Sequence, residues 1–345
     1  YAGAYAPNMN PINSEEIFNN TKRECLACQY KKNTDAYPVS KEIIIAYMKS
    51  LEVPEGIFKK VYTKKIKEFI LKMKLLDAIG DDSFAEISEK LYGYPDKDLV
   101  KKAYSLLYLP LSPVETSIDI KDAKKIMQNQ LSALHIDWKV YARKMLARAS
   151  IYPEKKEVRL NSTVSFSENT IKRLAVHEIG THAVRAMNAR TQPLRIFKNF
   201  PSYIVTEEGL AVFNEHITGL LDNDSIRKYA GRVVAVDYAK THTFYETFDY
   251  LCTFFDKDTA FYITLRVKRG LKDTNSLGAY TKDFVYLKGY FDVKHFAQKN
   301  PLKILYYGKV PLEYVSLVKK IEPELSKIAY FPPLVESFEI KKDAF

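Results

Sequence analysis

The stretch H-E-I-G-T-H, residues 177–182, places two histidines five positions apart, with a glutamate directly after the first. The common H-E-x-x-H signature of zinc-dependent peptidases spaces its histidines four apart, on one face of a helix. On a regular α-helix a spacing of five turns the second side chain by about 140° from the first. Two imidazoles so placed could not share one zinc ion at about 2.0 Å. The stretch can therefore hold a metal only where the helix is locally widened.

One i→i+5 turn, a π-bulge, would bring His182 back to the face of His177. Such turns are rare and often lie at functional sites. Gly180 lies within the interval, where a residue without Cβ most easily allows the backbone to rearrange. A buried, hydrogen-bonded histidine pair without a metal explains the same spacing. From the spacing alone both interpretations stay open.

A catalytic zinc site typically has three protein ligands and an open position for water. The stretch T-E-E-G-L-A-V-F-N-E-H, residues 206–216, offers three carboxylates, those of Glu207, Glu208 and Glu215. It predicts a helix with Thr206 as its N-cap. Glu207 and Glu208 then point about 100° apart, so we expect only one to face the histidines. The alternative is that both are solvated first-turn charges, favoured there by the helix dipole.

The rest of the chain predicts a mainly helical α+β fold. Apolar residues recur at helical spacing within residues 55–76, opposite a lysine-rich face that we interpret as solvated. Residues 137–160 predict strands joined by a turn at 153–156, a small antiparallel sheet just before the histidine helix. That helix is predicted to start after Ser167 as N-cap, with Glu168 in its first turn.

We expect two regions. Residues 1–115 form an N-terminal helical region that supplies one wall of a cleft, and residues 116–345 form the catalytic domain.

Composition limits the partners. The formal net charge of +11 favours an acidic partner. No aromatic-interleaved RNA motif or recognition helix is present, so nucleic acid is not expected. No apolar run approaches the roughly 18 residues that span a bilayer, so no transmembrane segment is expected. Cys25 and Cys28 form a single C-x-x-C and Cys252 stands apart, which predicts free thiols in a reducing, cytoplasmic compartment. A redox pair is the alternative.

Three blocks together resemble a known family. They are H-E-I-G-T-H-A-V-R at 177–185, T-E-E-G-L-A at 206–211 and R-V-K-R-G-L-K-D-T-N-S-L-G-A-Y-T-K-D-F-V-Y-L-K-G at 266–289. This pattern resembles the microtubule-associated tyrosine carboxypeptidases, whose prokaryotic relatives are described as flavohemoglobin expression-modulating QEGLA-motif proteins. Glu207 stands where that motif has glutamine, and Asn275-Ser276 where Thr-Ser is expected. The resemblance covers roughly residues 160–290.

The resemblance implies a zincin-like metallopeptidase with one Zn²⁺ per chain, held by His177, His182 and Glu208. Glu178 would be the catalytic carboxylate. The implied reaction removes a C-terminal residue, tyrosine in the eukaryotic enzymes, from a polypeptide with an acidic tail. Tubulin or microtubules are the implied partners.

A carboxypeptidase must also hold a free α-carboxylate, which arginine binds well through paired hydrogen bonds. The candidate cations are Arg185, Arg266, Lys268 and Arg269. Arg185 is alternatively a structural ion pair, and Lys268 and Arg269 are alternatively ordinary surface charges. Tyr286 is a candidate oxyanion donor, and Asn161 could align a substrate along a sheet edge.

Two other functions stay open. One is a zinc endopeptidase or aminopeptidase, which would lack a carboxylate-binding cation and would cleave amidated peptides. The other is a catalytically silent, basic binding protein, against which Glu178 argues because a structural site needs no base.

Overall fold

The computed structural model describes residues 9–30, 40–113, 115–145, 147–333 and 335–337. In these ranges the chain is mainly helical with two small β-sheets, so the α+β character predicted from the sequence is confirmed. The α-helices are α1 (Ser14–Asn19), α2 (Lys41–Ser50), α3 (Lys59–Asp77), α4 (Phe84–Tyr92), α5 (Lys97–Leu107), α6 (Ile120–Ala133), α7 (Glu168–Leu174), α8 (Val184–Thr191), α9 (Tyr203–Ile217), α10 (Asn223–Ala239), α11 (Phe244–Cys252), α12 (Lys257–Lys268), α13 (Val285–Ala297) and α14 (Val315–Ile321). A π-helix (Ala175–Ala183) joins α7 to α8. The strands are β1 (Ser117–Ile118), β2 (Lys139–Arg143), β3 (Ala149–Tyr152), β4 (Glu157–Asn161) and β5 (Phe166–Ser167).

Two compact units divide the chain, and each combines two separate segments. The first takes its residues from 1–110 and 225–285, and the second takes them from 111–224 and 286–345. Helices of residues 225–285 belong to the first unit because they share an apolar core with Ile17 of the N-terminal segment. The two regions expected from the sequence, 1–115 and 116–345, were each continuous instead. That the N-terminal region forms a cleft wall stays a prediction.

Four helices of the first unit, α2, α5, α11 and α12, begin with a capping side chain. Ser40, Asp96 and Asp256 each accept a hydrogen bond from a backbone N–H of the helix that follows. Thr243 and Glu246 form a reciprocal capping box at the start of α11. A cap of this kind stabilises a helix by about 1 kcal/mol.

Two apolar clusters form the core of the first unit. The larger joins α10, α11 and α12 through residues such as Val236, Phe244 and Ile263. In the smaller, Phe84 covers Gly270, the glycine of the K-R-G sequence. Gly270 has a φ of +88°, and a Cβ added there would lie 2.1 Å from the Phe84 ring. Both the backbone and the packing therefore require glycine at this position.

The second unit contains both sheets. The three-stranded sheet has the order β2-β4-β3, and its central strand β4 pairs antiparallel with β3 but parallel with β2. The turn predicted at 153–156 is present, as a 3₁₀ turn over Pro153–Lys155. The expectation of a purely antiparallel sheet is wrong. Residues 144–148 carry no Gly or Pro signal for a tight hairpin, and β3 lies on the far side of β4 from β2.

The histidine helix starts as predicted. Ser167 is its N-cap and accepts a hydrogen bond from the N–H of Thr170 at 3.1 Å, with Glu168 in the first turn. The π-helical segment packs against α6, β3 and, most extensively, α9. In the described residues, no helix combines the length and the apolar character needed to cross a bilayer.

Candidate metal centre

The widened turn that the histidine spacing requires is present. Residues Ala175–Ala183 form a π-helix, and the hydroxyl of Thr181 donates to the carbonyl of Val176, five residues earlier. The rings of His177 and His182 consequently lie side by side, with centroids 4.9 Å apart and planes at 84°. A histidine spacing of five in a π-helix thus brings two imidazoles to the same face, as a spacing of four does in a regular α-helix.

Glu208 completes a group of three potential metal ligands. Its Oε2 atom lies 3.6 Å from Nε2 of His177 and 3.6 Å from Nε2 of His182. One ligand atom from each of the three residues lies within 4.8 Å of the others. Ligands about 2.0 Å from a tetrahedral zinc ion are separated by about 3.3 Å. The two nitrogens and one carboxylate oxygen therefore fit a zinc ion.

Helix α9 carries Glu208 deeper than the sequence predicted. The helix begins at Tyr203, after Ser202 in a left-handed conformation, and not at Thr206. The prediction of Thr206 as N-cap is therefore wrong, and its hydroxyl instead accepts a hydrogen bond from the N–H of Leu312 at 3.0 Å. The extra turn leaves the Glu208 side chain buried among its neighbours.

Each histidine is held from behind by a second carboxylate. Nδ1 of His177 lies 2.6 Å from Oε1 of Glu215, and Nδ1 of His182 lies 3.0 Å from Oε1 of Glu207. These contacts turn both Nε2 atoms toward Glu208. The expectation that only one of Glu207 and Glu208 faces the histidines is wrong, because the two carboxylates reach opposite nitrogens of His182.

The carboxylates make this cluster attractive to cations. Burial lowers the pKa of His177, but hydrogen bonds to Glu208 and Glu215 outweigh burial and raise it to about 9. For His182 burial again lowers the pKa, while Glu207 and Glu208 raise it to about 10. Positive charge is therefore favoured here, as protons on the imidazoles or as a metal ion that displaces them.

Glu207 is fixed by two further cations. Oε2 accepts from Nη1 of Arg185 at 2.5 Å, and Oε1 lies 3.4 Å from Nζ of Lys309. Burial alone would raise the pKa of Glu207, but Lys309, Arg185 and His182 together hold it well below its ordinary value. Glu207 is thus an ionised carboxylate that orients His182.

A glycine pair sets the position of Glu208. Helices α9 and α13 meet at Gly209 and Gly289, where a Cβ added to Gly209 would lie 2.1 Å from the Gly289 carbonyl carbon. No larger residue fits unless the helices separate. By contrast, a Cβ added to Gly180 would meet nothing within 4 Å. The close approach of the two helices therefore requires glycine at position 209, whereas no steric contact requires it at position 180.

Glu178 faces the same cluster without being paired. Within the part of the chain that the structure describes, its carboxylate forms no hydrogen bond or ion pair. Its side chain is partly exposed, unlike that of Glu215. Burial raises the pKa of Glu178 above the ordinary value for glutamate. A carboxylate in this state can accept and release a proton.

Two of the candidate substrate residues in this unit are occupied by structural contacts. Arg185 is fully buried, and besides Glu207 it donates to the carbonyls of Leu305, Gly308 and Val310. The amide of Asn161 donates to the Met145 carbonyl and accepts from Thr163.

The positions of Asn161 and Tyr286 bear on the roles predicted for them. Asn161 lies on the central strand β4, so its predicted place at a sheet edge is wrong. Tyr286 lies in the first turn of α13 and is partly exposed. Its role as an oxyanion donor stays a prediction.

The remaining candidate cations belong to the first unit. Arg266 and Arg269 both donate to the buried carboxylate of Asp283. Lys268 is 3% exposed, and its ammonium donates to the carbonyls of Ala239, His242, Ser276 and Gly278. These contacts give all three side chains a structural role, and their predicted role in substrate binding stays untested.

Three residues of the site have roles that the sequence patterns did not assign. Glu215 follows Glu208 by seven residues, two helical turns, and that spacing could have placed it on the same face. Asn214 donates to Thr181 and to the hydroxyl of Tyr306, both at 2.7 Å, and so ties α9 to the π-helix. No sequence signal points to Tyr306, because it lies about ninety residues away.

Comparison with known proteins supports a family assignment. Two relatives are named "Putative tyrosine carboxypeptidase MATCAP2": the mouse protein is 30% identical over 162 residues, 45% of this chain and 31% of its own length, and the human protein is 30% identical over 159 residues, 44% and 30%. The rat "Microtubule-associated tyrosine carboxypeptidase 1" is 30% identical over 150 residues, 41% of this chain and 32% of its own. The matched stretch thus spans about a third of each relative. Residues 18–343 match the family described as "Microtubule-associated tyrosine carboxypeptidase", and the chain belongs to that family.

Proposed function

We propose that the protein is a zinc-dependent metallo-carboxypeptidase of the zincin-like type, which removes a C-terminal residue, tyrosine, from polypeptides with acidic tails. The observation that carries the proposal is the convergence of Nε2 of His177, Nε2 of His182 and Oε2 of Glu208, with an unpaired Glu178 beside them. The family relatives bear tyrosine carboxypeptidase names, which supports the same reaction.

Zinc is the metal that best suits this donor set. Two imidazole nitrogens and one carboxylate leave a fourth tetrahedral position open, as in other catalytic zinc sites. When bound, zinc lowers the pKa of a water molecule toward neutrality and polarises a carbonyl group. The hydrogen bonds of Glu207 and Glu215 fix the histidine tautomers and raise their basicity as ligands.

Glu178 is the proposed general base and acid. Its carboxylate takes a proton from the attacking water and passes that proton to the departing amine. The raised pKa of Glu178 suits both steps. A carboxyl group whose pKa lies closer to the working pH can both accept a proton from water and donate it to the amine. As the neighbour of a ligand, it lies beside the site without binding the metal itself.

Lys309 is our candidate for the cation that binds the substrate α-carboxylate. It shares Glu207 with Arg185, but its side chain is 21% exposed while that of Arg185 is fully buried. It also lies 4.9 Å from the ring centroid of Tyr203, a surface that could contact an aromatic C-terminal residue. Substitution Lys309→Met should raise KM for peptides with a free C-terminus while the zinc content stays constant. Unchanged KM would move this role to another residue.

The substrate class follows from charge and from the relatives. The net charge of +11 favours an acidic polypeptide, and a tubulin tail has that character. The word "microtubule-associated" in the name of the rat relative supports tubulin or microtubules as the partner. The free thiols of Cys25, Cys28 and Cys252 suit a reducing, cytoplasmic location.

Mass spectrometry of two peptides tests this function. Both end in Glu-Glu-Tyr, one with a free C-terminus and one amidated, and each is incubated with the zinc-loaded protein. We expect loss of one tyrosine from the free peptide alone. Cleavage of both peptides would support the endopeptidase or aminopeptidase alternative, and cleavage of neither would contradict a tyrosine carboxypeptidase.

A further inference from the structure

A second candidate site lies on the second unit, outside the metal centre. An open groove of about 750 Å³ runs between helix α6 and strand β2. Trp138 and Val140 belong to its lining and are themselves buried. Four lysines line it as well: Lys121, Lys124, Lys125 and Lys139. Its volume is that of a site for a small ligand or a short peptide segment.

The charge of this groove is uncompensated. None of its four lysines forms an ion pair with a residue that the structure describes. The one acid in the lining, Asp137, is already paired with Lys156 at 2.7 Å. The N-cap residue Asp119 and the first-turn residue Asp122 do not line the groove.

The positive end of α6 lies beside these lysines. Lys121 is in the first turn of the helix, where the helix dipole disfavours a cation and favours an anion. Lys124 and Lys125 follow in the second turn. An anionic ligand beside Lys121 would therefore interact favourably with both the lysine and the helix dipole.

The groove also offers backbone hydrogen bonds. The outer edge of β2 faces α6, and the side-chain amide of Gln128 bonds to it as a peptide would: Nε2 donates to the Trp138 carbonyl at 3.2 Å and Oε1 accepts from the Val140 N–H at 3.3 Å. Because strand residues alternate, the N–H of Ala142 points to the same edge. No described residue hydrogen-bonds that group there. An extended peptide can continue the pattern that Gln128 begins.

These features favour a polypeptide over a nucleic acid. Single-stranded nucleic acids bind largely by stacking their bases on exposed aromatic rings. Trp138 is 1% exposed and offers no such face, and Tyr141, which is partly exposed, supplies a single ring rather than a series of stacking surfaces. Its indole Nε1 is buried and has no hydrogen-bond acceptor among the described residues.

We propose that this groove binds an acidic, extended segment of a polypeptide, with glutamate or aspartate side chains against the four lysines and the peptide backbone along β2. The same helix α6 packs against the π-helix of the metal centre. If the bound segment is the tail of the substrate, that identification rests on the function proposed above. Binding of an acidic segment in the groove does not depend on that function.

A binding titration with the full chain tests the proposal. The probe is an oligoglutamate peptide blocked at both ends, so that it has no free C-terminus to be cleaved. The readouts are Kd by calorimetry and the emission of Trp138, the single tryptophan of the chain. We expect binding that weakens with salt and shifts the Trp138 emission. The paired substitution Lys121→Gln and Lys125→Gln should raise Kd at least about tenfold.

The matched control is Lys60→Gln with Lys67→Gln, which removes the same charge from two exposed lysines of α3. It should leave Kd within about twofold. Equal weakening by both pairs, a Trp138 emission that does not respond, or tighter binding of an oligonucleotide of equal charge would each overturn the proposal. Cleavage of an uncharged peptide ending in tyrosine reports the metal centre separately, so a failure of the proposed function is distinguishable from a failure of the groove.

Discussion

Nδ1 of His177 lies 2.6 Å from Oε1 of Glu215, and this contact turns Nε2 of the histidine toward Glu208 in the candidate metal centre. Glu215 follows Glu208 by two turns of α9, so one helix supplies both a potential ligand and the group that orients another. The π-helix places the ring of His182 next to that of His177. The candidate site is thus built by two packed helices, one of them widened.

Substitution Glu178→Gln separates catalysis from metal binding. Gln cannot accept the proton of the attacking water, so turnover should fall by about 10²–10⁴-fold. Zinc content should not change, because Glu178 is not among the three potential ligands. Peptide cleavage and metal analysis on the same sample check this, and a variant that cleaves at the original rate would remove Glu178 from the mechanism.

Substitution Glu215→Gln should weaken zinc binding about 10–100-fold, because His177 loses the carboxylate that orients it. Competition with a chromogenic chelator measures the affinity. Glu157→Gln is the matched control, since Glu157 pairs with Arg159 in the same unit but away from the histidines. Equal affinity in both variants would show that Glu215 does not support the site.

Substitution Gly209→Ala should disturb the centre through packing. The added methyl would collide with Gly289, and such overpacking costs about 1–3 kcal/mol or more. We expect a lower Tm together with weaker zinc binding. Gly180→Ala, which meets nothing within 4 Å, should keep Tm or raise it slightly. The reverse order of the two Tm values would contradict the role assigned to the glycine pair.

We expect Asp283 to make the stability of the first unit depend on pH in acid. Burial tends to raise its pKa, but Arg266 and Arg269 hold the pKa well below its ordinary value. A carboxyl group with a lowered pKa stabilises the fold fully above its unfolded pKa of about 3.9, and this stabilisation is lost as the pH falls from there through the folded pKa. In urea unfolding at a series of pH values, this group should lower the free energy of unfolding by about 1 kcal/mol between neutral pH and pH 3.

The variant Asp283→Asn tests this origin. It should be less stable than the native chain by about 3–5 kcal/mol at neutral pH, because buried arginines lose their counter-charge. Its stability should also depend less on pH below about 4. The control Asp258→Asn changes an exposed first-turn residue of α12, and it should lower stability by no more than about 1 kcal/mol and keep the acid dependence. An equal acid dependence in Asp283→Asn and the native chain would exclude Asp283 as its source.

Local signals in the sequence predicted much of this fold. Ser167 before a periodic stretch predicted the start of the histidine helix, and the turn at 153–156 predicted the hairpin, because caps and turns depend on a few adjacent residues. The five-residue spacing of His177 and His182 allowed a shared metal only if the helix is widened there, and the structure contains that widened segment.

Contacts between segments far apart in the sequence could not be predicted from such local signals. The parallel pairing of β2 with β4 and the inclusion of residues 225–285 in the first unit depend on which apolar faces meet in space. For the same reason Arg185 could not be excluded from the substrate candidates: its carbonyl partners lie more than a hundred residues away. The start of α9 was misplaced because Thr206 is a good capping residue whose hydroxyl is used by Leu312 instead.

The most direct test of the account is zinc X-ray absorption on the purified, zinc-loaded chain, combined with metal analysis. We predict one zinc per chain, with two imidazole nitrogens and a carboxylate oxygen at about 2.0–2.2 Å, and a loss of this signal in His182→Ala. Absence of tightly bound zinc, a first shell containing sulfur at about 2.3 Å, or an unchanged first shell in His182→Ala would contradict the claim that the widened helix brings His177 and His182 to one metal.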